Sequence, residues 1–193
     1  MKPPALIVAL LAAMVSALPA GAAELFKEGT TEWAFSVGYG RSFSTDFRAG
    51  NVDENITFIP FLVSRSKVLG VLSGGGSWGY SVEGFFSYAR QEGSGRYAIG
   101  VTPFLFYNFS THGQIIPYAS AGLGLIATNL DPGNFGGDWG FTPQIGVGFR
   151  YALDQRRMVR FEYRLHHISN AGLKDDNKSI DSNMFFIGYS MLY

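Results

Sequence analysis

The sequence predicts an all-β fold, an eight-stranded antiparallel transmembrane β-barrel. Three observations carry that expectation. No long apolar helix remains once the N-terminal leader is set aside. Glycines number 25 and aromatic residues make up 16% of the chain, a mix that suits strands with an apolar outer wall. Eight segments alternate large apolar residues with small or charged ones, as strands with two unlike faces must.

The leader comes first. Lys2 supplies a positive charge, Ala5 to Leu18 is almost wholly apolar, and Ala20-Gly21-Ala22 has the small-x-small form of a signal peptidase site. Residues 1–22 therefore read as a cleaved signal peptide, and 23–193 as one barrel domain. Formal net charge is zero. No basic block or stripe appears, so nucleic acid is not an expected partner. There is no cysteine, which removes a disulfide framework and any thiolate metal site.

In the first strand Trp33, Phe35, Val37 and Tyr39 oppose Ala34, Ser36, Gly38 and Gly40. A polar loop follows to Glu54. Asn55 to Ser66 is the second strand. Its Ile59–Val63 run is apolar on both faces and leaves parity open, while Pro60 predicts a bulge or a locally unpaired site. Lys67 to Ser77 is long for a periplasmic turn, so extra strand residues are expected at its ends. The third strand sets Trp78, Tyr80, Val82, Phe86 and Tyr88 against Gly79, Ser81, Glu83, Ser87 and Ala89. Gln91–Gly95 turns the chain. The fourth sets Tyr97, Ile99, Val101, Leu105 and Tyr107 against Arg96, Ala98, Gly100 and Thr102.

After a turn at Ser110–Gly113, the fifth strand has Ile115, Ala119, Ala121, Leu123 and Leu125 outward. Asn129 to Asp138 is loop. The sixth opposes Phe141, Ile145, Val147 and Phe149 to Thr142, Gln144, Gly146, Gly148 and Arg150. Leu153 to Arg157 turns back into a seventh strand of Phe161, Tyr163 and Leu165 against Arg160, Glu162, Arg164 and His166. The eighth ends on Tyr193. With both termini periplasmic, the connections after strands one, three, five and seven face outward.

Charges fall on the small-residue face: Glu83, Arg96, Arg150, Arg160, Glu162 and Arg164. An eight-stranded barrel is filled by side chains, so these six are read as structural and must pair where buried. Trp33, Trp78, Tyr97, Tyr107 and Trp139 lie near strand ends and fit interfacial girdles. A soluble lipocalin-type barrel would need the large residues inward, and the small, charged parity lines a poor pocket.

One stretch breaks the pattern. His167 and Ser169 share the outward parity of Tyr163 and Leu165, and Asp181 shares that of Phe185 and Ile187 across the last connection. A serine needs a base to take its proton, and the base needs an orienting carboxylate. His167 and Ser169 stand two residues apart on one face, about 6.5–7 Å between α-carbons. Asp181 opens the neighbouring strand, within reach of the other imidazole nitrogen. Amides at the Gly172 turn, or the Asn177 carboxamide, are the candidate oxyanion donors. No His/carboxylate metal cluster is visible, and no cofactor is expected. His166 has the opposite parity, beside Arg164, and is read as structural. His112 lies in a distant turn and is assigned nothing.

Over Phe161 to Asp181 the chain resembles the outer-membrane lipid A 3-O-deacylases of the PagL type. The resemblance rests on His167-Ile168-Ser169-Asn170-Ala171-Gly172-Leu173-Lys174, then Asn177 and the acid at 181. It implies an eight-stranded barrel in the bacterial outer membrane whose Ser-His-acid triad faces lipid and removes the ester-linked 3-hydroxyacyl chain at position 3 of lipid A. Ser169 then resembles the nucleophile, His167 the base and Asp181 the orienting acid, with Gly172 and Asn177 as oxyanion donors. Lipid A, or lipopolysaccharide, is the implied substrate, outer-membrane lipid the surroundings, and a homodimer an open expectation. Two positions depart from the pattern. Asp181 replaces a glutamate, one methylene longer, and Ser179 stands where a glycine is often found. The other reading is a non-enzymatic small barrel with a structural or adhesive role, on which the trio is loop decoration.

Overall fold

The computed structural model describes residues 25–44, 55–130, 138–173 and 179–193. Residues 1–22, which the sequence reads as a signal peptide, and Asn177 lie outside them, as do most of the first outer loop and part of the third.

Eight strands follow in order: β1 (Thr31–Phe43), β2 (Thr57–Val71), β3 (Ser77–Gln91), β4 (Ser94–Asn108), β5 (Ile115–Thr128), β6 (Trp139–Ala152), β7 (Arg157–Ile168) and β8 (Ile180–Leu192). Each pairs antiparallel with the next, and β1 closes on β8 from Glu32↔Leu192 to Phe43↔Asp181. Closure leaves no strand edge exposed, as a bilayer demands. At 12 to 15 residues the strands exceed the length a tilted crossing needs.

The outward parity is the aromatic and aliphatic one. Phe35, Leu105, Ile145 and Phe185 are all exposed. A continuous apolar belt of this kind is stable against hydrocarbon and not against water. The two-sided Ile59–Val63 run is resolved in the same sense, with Ile59, Phe61 and Val63 outside and Phe58 and Leu62 in the lumen.

The lumen is layered. One apolar cluster, including Ile56, Phe58, Phe85, Ile168, Ile180 and Met184, fills the end that carries the outer connections. Another fills the opposite end, where Leu25 and Phe26 tuck in with Phe106, Ile116 and Met158. Between them sit the charges. Arg164 pairs with Glu83 (2.6 Å) and Glu162 (2.8 Å), Arg160 with Glu162 (3.5 Å) and Arg150 with Glu32 (3.3 Å). Arg150 also donates to Asn108 at 2.6 Å and lies over the Tyr118 ring. Such pairs tolerate burial because each charge meets an opposite one and further hydrogen bonds. Glu32 belongs to this network and was not among the six charges singled out in the sequence; it sits one residue inside β1, where a strand residue and a flank look alike. Gly146 makes room for the network, since a β-carbon there would stand 2.5 Å from Glu162 Oε1.

Pro60 does leave a gap in the ladder. The β1–β2 rungs stop at Val37↔Phe61 and resume at Gly40↔Phe58. The bulge itself lies elsewhere, between Val68 and Gly70 on β2. There Gly70 lets the Trp78 indole approach to where a β-carbon would stand 2.8 Å from Nε1. The overlong Lys67–Ser77 connection resolves as expected. β2 runs on to Val71 and β3 starts at Ser77, leaving Leu72–Gly76 as a turn closed by Leu72 N–H to the Gly76 carbonyl at 2.8 Å. The β3–β4 hairpin is tighter than the sequence suggests. Only Glu92 and Gly93 lie between the strands, both with positive φ (48° and 82°), the two-residue turn whose twist matches the strands it joins.

Candidate active site

β7 and β8 are in register where it matters. His167 is directly opposite Asp181, Leu165 opposite Asn183 and Ile168 opposite Ile180. The pleat sends His167 and Asp181 outward while Ile168 and Ile180 are wholly buried beneath them. His167 Nδ1 lies 2.6 Å from Asp181 Oδ1, with both side chains mostly but not wholly covered. Because Nδ1 is held by the carboxylate, Nε2 is the nitrogen left to meet a hydroxyl.

Ser169 is held from the other side. Its N–H and C=O bond the backbone of Phe141 on β6 at 3.1 and 2.7 Å. The imidazole is thus oriented by β8 and the serine backbone by β6. Ser169, His167 and Asp181 line one cavity. Among the described residues no hydrogen bond reaches the Ser169 hydroxyl; bonds of this type commonly tighten only when substrate is bound.

Beyond Ser169 the chain turns on Asn170. Ala171 and Gly172 both have positive φ (56° and 75°), and Leu173 N–H returns to the Asn170 carbonyl at 3.2 Å. The Asn170 side chain, 4% exposed, accepts the Gly172 N–H at 2.9 Å. Glycine suits that conformation, whereas alanine at 171 pays a steric cost that the surrounding contacts must hold in place. The Gly172 amide, one candidate oxyanion donor, is therefore engaged by Asn170 in this structure. Asn177, the other, lies outside the described residues. Asn170 itself was not singled out in the sequence, although an asparagine before Ala-Gly is a turn signal.

His166 faces the lumen. It is 2% exposed, with Nε2 3.0 Å from Thr142 Oγ1 and its ring stacked on Phe85. Two residues further along the same face, Arg164 ties β7 to Glu83 on β3. The strand carrying His167 is in this way anchored through the barrel interior.

The cavity has a volume of about 910 Å³ and is walled by Leu123, Phe141, Pro143, Ile145 and Leu165, with Ala121 among its lining residues. It lies on the outer wall, open sideways. The sequence placed Ala121 and Leu123 outward without assigning them a site. The signal was available: Ala119 and Ala121 are small where the other strands put bulk, and a small residue on a bulky wall makes a trough. Among the described residues no group of three His, Cys, Asp or Glu side chains is placed to hold a metal ion.

Residues 61–190 match the family model described as "Lipid A 3-O-deacylase (PagL)". The chain belongs to the lipid A 3-O-deacylase (PagL) family. It is accordingly a barrel of the bacterial outer membrane. The lipid A deacylase PagL of Pseudomonas aeruginosa is 35% identical over 98 residues, 49% of this chain and 54% of that protein, so the chain spans about half the length of the relative it matches. The crystal structure of the outer membrane enzyme PagL superposes with a TM-score of 0.65 at 23% identity, covering 80% of this chain and 97% of that one. Neisserial surface protein A gives 0.64 at 16% identity, covering 86% and 100%. These likenesses show the fold alone, and a fold shared so widely does not decide chemistry.

Proposed function

We propose that this PagL-family barrel is a serine esterase that removes the ester-linked 3-hydroxyacyl chain at position 3 of lipid A. The observation that carries the reading is the His167–Asp181 pair at 2.6 Å, facing out of the wall beside Ser169 at the edge of an apolar trough. Polar side chains on a lipid-facing wall are costly and are functional by default.

Ser169 Oγ attacks the ester carbonyl carbon as its proton passes to His167 Nε2. Asp181 holds the imidazole through Nδ1 and offsets the charge that develops on it. The carbonyl oxygen becomes an oxyanion, for which the Gly172 amide and the Asn177 carboxamide are the proposed donors. Using Gly172 calls for its N–H to be exchanged or shared with Asn170. The tetrahedral centre collapses, the C–O bond to the sugar breaks, and His167 returns the proton to the sugar 3-oxygen. The acyl group is then an ester of Ser169. Water, deprotonated by His167, attacks it and releases the 3-hydroxy fatty acid, restoring the serine. The trough suits the acyl chain by shape and apolar lining; because the chain leaves lipid and not water to enter it, contact and fit, not a hydrophobic driving force, hold it there.

The test is Ser169→Ala. Lipid A from cells making the wild-type chain should lack one hydroxyacyl residue by mass spectrometry, and lipid A from cells making the variant should retain it. That no hydrogen bond reaches the Ser169 hydroxyl among the described residues is the observation that favours a non-enzymatic barrel, and identical lipid A in the two strains would establish that reading. The pairing of two barrels stays an expectation of the sequence, to be read by cross-linking in membranes.

A further inference from the structure

The ladder places four polar residues in one outward-facing row beside the site. Asn183 on β8 is opposite Arg41 on β1, Arg41 is opposite Thr57 on β2, and Thr57 is opposite Arg90 on β3. Phe43, two residues beyond Arg41, is opposite Asp181. Arg41 is therefore the diagonal neighbour of Asp181, about 7–8 Å away between α-carbons. Arg90 stands two strand spacings from Arg41, about 10 Å.

Both arginines are exposed, and neither has an acidic partner among the described residues. Arg41 donates to the neutral Asn55 Oδ1 at 2.8 Å. Arg150, Arg160 and Arg164 in the lumen each face a glutamate. At the opposite rim Arg157 pairs with Asp154 at 2.6 Å, and Arg65 lies over the Trp33 ring. Asn183 adds to the contrast. Its Oδ1 accepts the Tyr163 hydroxyl at 2.5 Å, which leaves its two N–H donors without a partner among the described residues. Guanidinium groups with no opposite charge among the described residues, and the Asn183 amide donors, gather on the outer wall at the strand ends next to the candidate triad, an arrangement that suits an anion supplied by the surroundings. Planar guanidinium groups match phosphate oxygens two at a time.

We propose that the Asn183–Arg41–Thr57–Arg90 row binds a phosphate group on the sugar headgroup of the substrate glycolipid, and so sets which headgroup is presented to Ser169. This rests on the esterase reading above and adds a headgroup site to it. The acyl trough lies on the β5–β6 side of His167, the row on the β8–β3 side. A lipid held at both flanks brings its ester between them.

The test measures binding apart from turnover. In a Ser169→Ala background, binding of phosphorylated lipid A and of the same lipid after phosphate removal is followed in detergent micelles by tryptophan fluorescence. The phosphorylated form should bind more tightly, and Arg41→Gln and Arg90→Gln should each weaken that binding roughly tenfold, the scale of a charged hydrogen bond, while narrowing the gap between the two lipids. Arg41→Lys should recover part of the loss. Heat-shifted gel mobility checks that each variant is folded. A preference for phosphate that the glutamine variants leave intact would overturn the proposal, as would an equal loss on both lipids. Competition by phosphatidylglycerol as strong as that by phosphorylated lipid A would also overturn it, because the row would then be a general anionic-lipid surface. Should the chain with Ser169 bind phosphorylated lipid A in this row yet release no fatty acid, the hydrolytic reading falls and the headgroup site stands.

Discussion

His167 and Asp181 are fourteen residues apart in the chain and directly opposite in the β7–β8 ladder, with Nδ1 and Oδ1 separated by 2.6 Å. A directly opposed pair has its side chains on the same face by construction. The short aspartate therefore reaches the imidazole without the extra methylene of a glutamate. The shorter acid is compatible with this register.

Asp181→Asn should keep the hydrogen-bonding shape and lose the charge. Its kcat is expected to fall by about 10⁴, the scale seen when a triad carboxylate becomes an amide. Asp181→Glu should retain most of the activity. Release of 3-hydroxy fatty acid from purified lipid A by the two variants measures both.

Ala121 leaves the trough its depth. Ala121→Phe should fill it, raising KM for long acyl chains more than for short ones and leaving gel mobility of the folded barrel unchanged. A chain-length series of substrates reads the effect, and an unchanged profile would remove Ala121 from the acyl site.

Asn170 holds the turn that follows the serine. Asn170→Ala leaves the exposed Gly172 N–H to water in place of its acceptor and should destabilise that turn by about 0.5–1.5 kcal/mol, the net worth of an ordinary hydrogen bond. If the turn positions Ser169, kcat should drop more than KM rises; hydrolysis kinetics separate the two.

Glu32 neutralises Arg150, which is 2% exposed. Glu32→Ala leaves that guanidinium with the neutral Asn108 and should cost about 3–5 kcal/mol. Urea unfolding in detergent micelles measures it. The site is far along the barrel from Glu32, so the folded fraction should keep its activity.

Strand number, face and the outward trio were legible because a pleat has period two, and a wall facing lipid writes that period in large residues. Ile59–Val63 was not legible, since both its faces meet apolar surroundings: Phe61 meets lipid and Leu62 the lumen cluster. The Val68–Gly70 bulge was missed because Gly70, the glycine that marks it, was read as part of the Lys67–Ser77 connection and not as a residue of β2. The trough and the arginine row were missed for a different reason. Ala121 and Phe141, or Arg41 and Arg90, come together only once registers are known across several strands, and a single strand's alternation does not carry register.

The cavity beside Ser169 opens through the side of the barrel, while the lumen behind it is filled from end to end. On the esterase reading, a lipid substrate arrives by drifting within its own monolayer, without passing through water. The relevant concentration is a mole fraction among neighbouring lipids, so diluting the membrane with inert lipid at constant total volume should slow the reaction, and diluting the suspension with buffer should not.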